Sequence, residues 1–273
     1  MEKDTQLSTN RLFHYTPKKE YLIDILKNGF EPRLSLEKLL IFNDNKLLDL
    51  LSRELGIETP IKKLIDEFAI AMTCFCDIPL NLVSNHVKLY GNYSIGLNKE
   101  WAEKSGISPV FYIPEHAETK ALFKLLINNY YKSFEKIEEL RIEKIREIKT
   151  KEELLLIDIL NFYNNLIELT LFIKPYKGFY ERNNEIDYKF YDEREWRYVP
   201  NLMICKPYRN KTEYEEYCKQ GKPNLNFPKL TFNHDEITDI VVPKEEVEVI
   251  QRIISETAEL KDINASIVKS IIE

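Results

Sequence analysis

Several common chemistries lack their raw material in this chain. Only 7 glycines occur in 273 residues, and none form the glycine-rich turn that cradles phosphate, so P-loop and dinucleotide-fold readings are unsupported. The four cysteines, Cys74, Cys76, Cys205 and Cys218, make no CxxC pair. A zinc ribbon is therefore unsupported, and free thiols in a reducing compartment are the expectation. His86 and His116 have no ligand-spaced partners and read as surface or helix-cap histidines, so no metal site is expected. Apolar runs are interrupted by charge well before the roughly 18 residues that a membrane span requires, and no apolar leader follows "MEKDTQLSTN". The expectation is a soluble, cytoplasmic protein with no membrane partner. Basic excess is missing too: 39 Lys and Arg stand against 45 Asp and Glu, a net charge of -6. That balance argues against broad nucleic-acid binding by phosphate neutralisation and leaves room only for a local basic groove.

What is present suffices for a folded core. With 44% hydrophobic residues, the chain reads as one α+β domain over 1–273. "LFHYTPKKEYLIDILKNGFEPR" (12–33) predicts a strand from Arg11 to Tyr15. Thr16 is placed to cap a helix, with Pro17 in its first position. Tyr21, Leu22, Ile25 and Leu26 fall on one face, and Asn28-Gly29 ends the helix. Helical patterns follow at about 44–56 and 60–68. "AIAMTCFCDIP" then reads as a buried strand ending in Asp77, a natural cap for the next helix. "NYSIGL" (92–97) and "PVFYIP" (109–114) read as strands around a short "NKEWAEKSG" helix.

From 117 to 173 the pattern becomes helical without glycine or proline. Thr150 and Glu153 have capping-box spacing, which predicts an inserted helical hairpin broken near 148–150. The stretch 174–222 is rich in tyrosine and basic residues, but its 11 Lys and Arg against 9 Asp and Glu fit a loop-rich flank as well as a nucleic-acid face. Strands are predicted again in "DYKFYDEREWRYVP" (187–200) and "EITDIVVP" (236–243), followed by a helix over about 244–256 and a final apolar segment.

The segment that suggests chemistry is "DEREWRY". In a strand over 192–198, Glu193, Glu195 and Arg197 share one face, and Arg194, Trp196 and Tyr198 share the other. Two carboxylates on one face repel each other unless a cation or a hydrogen-bonding ligand joins them. Such an arrangement fits a functional site and a structural ion network equally well.

The order of these elements is more specific than any of them alone: a His-x-Thr strand, a helix ending at glycine, "CFCDIP", "HVKLYGNYSIGL" and an E-x-E-W-R strand. Together they resemble the abortive-infection AbiGi family of bacterial phage-resistance proteins, which carries the label antitoxin. The chain is also distantly similar to the ADP-ribosyltransferase fold, including DarT-type enzymes that modify DNA. That resemblance implies an ADP-ribosyltransferase-like mixed β-sheet core carrying the long helical hairpin. It also implies NAD as cofactor and a nucleic acid or protein as acceptor. His14, Tyr15, Thr16 and Tyr93 would then bind the cofactor, while Glu195 and Glu193 would be catalytic.

The chemistry implied is the cleavage of nicotinamide from ribose through an oxocarbenium-like centre, which a carboxylate such as Glu195 can stabilise. Glu193 would receive the acceptor's proton. His14 would hydrogen-bond a ribose hydroxyl, Thr16 would hold a polar group, and Tyr93 or Tyr15 would stack on nicotinamide. This assignment requires residues 14 and 195 to meet across one cleft. The alternative is a non-enzymatic antitoxin or sensor that binds a cognate toxin or a phage component through the hairpin.

Overall fold

The computed structural model describes residues 9–38, 67–123, 125–126, 165, 168–180, 183–201, 204–205 and 207–270. The helices expected at 44–56 and through 60–66, and most of the 117–173 hairpin with its break near 150, lie outside the described residues. The chain divides into two compact units, one of residues 1–36, 69–110 and 177–273 and one of residues 37–68 and 111–176.

Along the chain the strands are β1 Arg11–Thr16, β2 Arg33–Lys38, β3 Glu67–Cys76, β4 Tyr93–Asn98, β5 Ser108–Pro109, β6 Phe111–Ile113 and β7 Ile173–Pro175. They continue with β8 Gly178–Tyr180, β9 Glu185–Tyr188, β10 Glu195–Tyr198, β11 Tyr208–Asn210, β12 Ile237–Val242 and β13 Val268–Ser270. The helices are α1 Lys19–Asn28, α2 Ser84–Tyr90, α3 Lys99–Lys104, α4 Lys211–Lys219 and α5 Val247–Glu256. The first unit is built on one mixed, mostly antiparallel sheet in the order β13-β12-β4-β1-β3-β10-β5, with β2 and β11 also paired to β3. Its parallel neighbours are β12 and β13. Separately, β8 and β9 form a small antiparallel hairpin. In the second unit β6 runs parallel to β7, Phe111 opposite Ile173.

Because β1 is central, it is buried on both faces. Leu12 packs with Leu22 and Leu26 of α1, Phe75, Ile95, Trp101, and Ile250 and Ile254 of α5, which form the larger core. Phe13 and Tyr15 point the other way, into a smaller core with Cys76, Ile78, Val83 and Val241, against which Val87 and Tyr90 of α2 pack. Leu22 and Leu26 are one helical turn apart, so α1 presents a single apolar stripe to the sheet. Gly29 ends α1 at φ 75, donating its N–H to the Ile25 carbonyl, and a Cβ there would stand 2.8 Å from the Leu230 carbonyl oxygen. Glycine meets both demands, a left-handed conformation and a close backbone approach.

Four local expectations are corrected. Thr16 does not cap α1: it is the last residue of β1, buried and paired with Tyr93, and the helix starts at Lys19 behind Lys18, with no side-chain cap. Pairing with β4 wins over capping because Thr16 is a β-branched residue at the end of a buried ladder. Asp77 caps no helix, since its carboxylate accepts from the Thr9 N–H and pairs with Lys99 at 2.7 Å. Residues 187–200 are not one strand. A 3-10 turn over Phe190–Glu193 and a left-handed Arg194 at φ 44 separate β9 from β10. Within 174–222, α4 stands where loop was expected, held by a capping box between Asn210 and Glu213.

Candidate functional site

Strand register decides which predicted residues meet. Phe13 of β1 pairs with Cys76 of β3, and Cys76 pairs with Glu195 of β10. Residues paired across a sheet point to the same face, and neighbours along a strand alternate. Phe13, Cys76 and Glu195 therefore share the face covered by α2. His14 points to the opposite face, where Trp196 and Tyr198 pack against the larger core.

On the α1 side, His14 Nδ1 lies 2.8 Å from the Cys74 carbonyl oxygen, and its ring makes edge contacts with Phe30 at 5.1 Å and Phe75 at 5.7 Å. A carbonyl only accepts, so Nδ1 carries the proton. Burial lowers the His14 pKa, against the raising effect of that hydrogen bond, and the imidazole is held neutral. Thr16 and Tyr93 are paired on this same face, beside the ion pair of Lys19 with Glu246 at 2.9 Å. Burial raises the Tyr93 pKa, with the nearby Glu246 carboxylate adding to it.

On the α2 side the acidic strand is satisfied from within. Arg197, with no exposed side-chain surface, reaches Glu195 Oε1 through Nε and Nη2, each at 2.8 Å, and the Glu195 side chain is only 6% exposed. The buried Glu193 accepts from the Tyr90 hydroxyl at 2.7 Å, and Tyr90 accepts in turn from the Tyr180 hydroxyl at 3.0 Å. Burial, reinforced by the Glu193 charge, drives the Tyr90 pKa far up, which keeps it a donor. Tyr180 is fixed by stacking on Tyr188 at 4.6 Å and by an edge contact with Phe190. Tyr15 also lies on this side, in edge contact with His86 at 5.0 Å, and burial raises its pKa. Among the described residues neither its hydroxyl nor that of Ser94, its ladder partner, makes a hydrogen bond of good geometry, although Ser94 stands close enough to oppose part of that rise.

The expected set is thus divided by the sheet. His14, Thr16 and Tyr93 occupy one face; Tyr15, Glu193 and Glu195 belong to the other. The meeting of His14 with Glu195 in one cleft does not occur, and the residues assigned to NAD do not assemble into one site around a shared ligand. Of the expected group on one strand face, Glu195 and Arg197 are paired, whereas Glu193 lies in the 3-10 turn before Arg194 and accepts from Tyr90 instead. Sequence reasoning missed Tyr90 and Tyr180, whose only signal is the density of tyrosine around "KLYGNY" and "KGFYER". His86, read as a surface or helix-cap histidine, is half-buried in the first turn of α2, with its ring against those of Tyr15 and Tyr90. Among the described residues no group of three or more His, Cys, Asp or Glu is arranged to hold a metal ion. No described helix is long and apolar enough to cross a membrane.

Comparison with known proteins bears on this geometry. The family described as "Putative abortive phage resistance protein AbiGi, antitoxin" matches residues 45–243. The chain is 33% identical over 161 residues to the abortive phage resistance protein AbiGi of Lactococcus lactis subsp. cremoris. That alignment covers 53% of this chain and 55% of the relative, so the chain spans about half the length of the curated protein it matches. No solved structure matches the chain. The family match extends over most of the sequence and includes β3, β4, β10 and β12, the strands that frame both faces; the chain belongs to the AbiGi family of abortive phage resistance proteins.

Proposed function

We propose that the chain acts in phage defence as an antitoxin, by binding a partner toxin, and that its Glu195–Arg197 pair serves the fold and not catalysis. The observation that carries this reading is the pair of Glu195 with the fully buried Arg197, on the face opposite His14. A carboxylate that stabilises an oxocarbenium-like centre must present its charge to the substrate. Here that charge is spent on a guanidinium inside the protein. The antitoxin in the family's description supports the same reading. The partner contact is assigned to the 117–173 segment, where Leu122, Leu125 and Leu169 are exposed.

The competing reading is the NAD-dependent ADP-ribosyltransferase that the sequence suggests, and one experiment separates the two. The double substitution Glu195→Leu with Arg197→Met removes both charges and replaces them with apolar side chains, a change that folds usually tolerate. The folded double variant is expected to protect cells from the partner toxin and from phage as the wild type does, and purified wild-type protein is expected to release no nicotinamide from NAD with DNA, RNA or protein acceptors present. Nicotinamide release that disappears in the folded double variant replaces this reading with the transferase. Protection that survives Leu122→Glu, Leu125→Glu and Leu169→Glu introduced together, or removal of residues 117–173, overturns the assignment of the partner contact.

A further inference from the structure

The central sheet contains a seam. β1 pairs with β4 along its whole length, from Arg11 opposite Asn98 to Thr16 opposite Tyr93. β10 pairs with β3 from Glu195 opposite Cys76 to Tyr198 opposite Thr73. Between these two ladders, β1 and β3 share a single pair, Phe13 with Cys76. At one end of the seam the Thr9 N–H donates to the Asp77 carboxylate; toward the other end the next link is the 2.8 Å hydrogen bond from His14 Nδ1 to the Cys74 carbonyl. Phe30 and Phe75 hold the imidazole edge-on in that position.

The strands that border the seam also carry unsatisfied polar atoms. Among the described residues the buried Thr73 hydroxyl on β3 has no hydrogen-bond partner, and the buried Tyr15 hydroxyl on β1 has none of good geometry, with only Ser94 beside it. Buried orphan hydroxyls penalise the closed arrangement only, because water supplies their partners when the strands part. A short ladder, a side-chain link and two orphan hydroxyls all lower the cost of parting β1 from β3, while the flanking ladders stay intact.

We propose that the β1–β3 seam is a hinge and that His14 is its latch. Opening breaks the Phe13–Cys76 pair and the His14–Cys74 bond, and it exposes the edges of β1 at 14–16 and of β3 at 73–75. In this reading His14 controls where the sheet opens, in place of the cofactor-binding role that the resemblance implies for it.

Peptide-resolved hydrogen exchange and alkylation of the half-buried Cys74, measured on the full chain, test the hinge. His14→Leu keeps apolar volume between Phe30 and Phe75 but deletes the donor. Loss of one net hydrogen bond raises exchange in peptides covering 12–16 and 72–76, and the Cys74 alkylation rate, by about fivefold. Peptides from β12 and α5 keep their wild-type rates. His14→Asn, which places an amide N–H near the position of Nδ1, restores slow exchange. A uniform rise across all peptides, no rise at the seam, or failure of the asparagine to restore it overturns the proposal. The wild-type chain gives a second measurement that needs no variant. Seam amides are expected to exchange through an opening that depends little on low urea, whereas a dependence equal to that of global unfolding refutes the hinge.

Discussion

Arg197→Met is expected to be among the most damaging single substitutions in the first unit, and the reason lies in what it leaves behind. The Arg197 side chain has no exposed surface and that of Glu195 is 6% exposed, so neither charge is screened by water. The pair makes two contacts of 2.8 Å to one carboxylate oxygen. Deleting the cation strands a buried carboxylate, which costs about 3–5 kcal/mol. Deleting both charges, as Glu195→Leu with Arg197→Met, removes that penalty and returns stability to within about 1 kcal/mol of wild type. Urea unfolding of the three proteins at pH 7 measures both values, with the slope of each transition checked for constancy. A single variant that loses less than about 1 kcal/mol, or a double variant no better than the single, refutes the claim that this pair is a buried structural unit.

Other expectations follow from the same geometry. Tyr90→Phe removes the donor to Glu193 and should cost about 1.5–3 kcal/mol. Tyr15→Phe removes a hydroxyl without a partner and should raise stability by about 1 kcal/mol; thermal melts that rank the two variants in the reverse order contradict the assignment. Gly29→Ala forces a side chain onto a residue at φ 75 and toward the Leu230 carbonyl, and its urea midpoint should fall by the equivalent of about 2 kcal/mol, the left-handed penalty plus the clash. Burial holds the folded-state pKa of His14 below 6.5, so the stability it contributes is complete above that pH. It is lost as the pH falls through the folded value, at up to about 1.4 kcal/mol per unit. The difference between wild-type and His14→Asn stability should therefore vary with pH below 6.5, and a difference that is flat there contradicts the buried neutral histidine.

Local patterns were legible where one periodicity governed the segment. The glycine after Asn28 and the apolar run of β3 appear as the sequence implies, and of the face expected from Tyr21, Leu22, Ile25 and Leu26 the two leucines are buried, Ile25 is half-buried and Tyr21 is exposed. Thr16 and Asp77 were misread for one physical reason. Each carries a capping signature, and in each a distant partner offers more than a helix start does: a ladder position opposite Tyr93 for Thr16, and Lys99 for Asp77. The α4 helix has no buried residue and so leaves no apolar stripe to find. Register was the larger gap. The strands of His14 and Glu195 were both recognised, but the face each presents to the other is set through Cys76, which pairs with Phe13 on one side and Glu195 on the other. No pattern within either segment contains that information, because a shift of one residue exchanges the faces.

The acidic residues that looked like chemistry share a further property. Asp77 is paired with Lys99, Glu193 accepts from Tyr90, and Glu195 is held by Arg197. Each carboxylate has a partner of a different kind, drawn from a different element: α3, α2 and β10 itself. Such pairing is what burial demands, since an unpartnered carboxylate in this environment would cost more than any of these contacts returns. Glu195 finds its partner on its own strand, because an arginine two residues along a strand points to the same face by geometry alone. Among the described residues the buried polar atoms without a well-formed hydrogen bond are hydroxyls, and those of Tyr15 and Thr73 lie on the two strands that border the seam between β1 and β3.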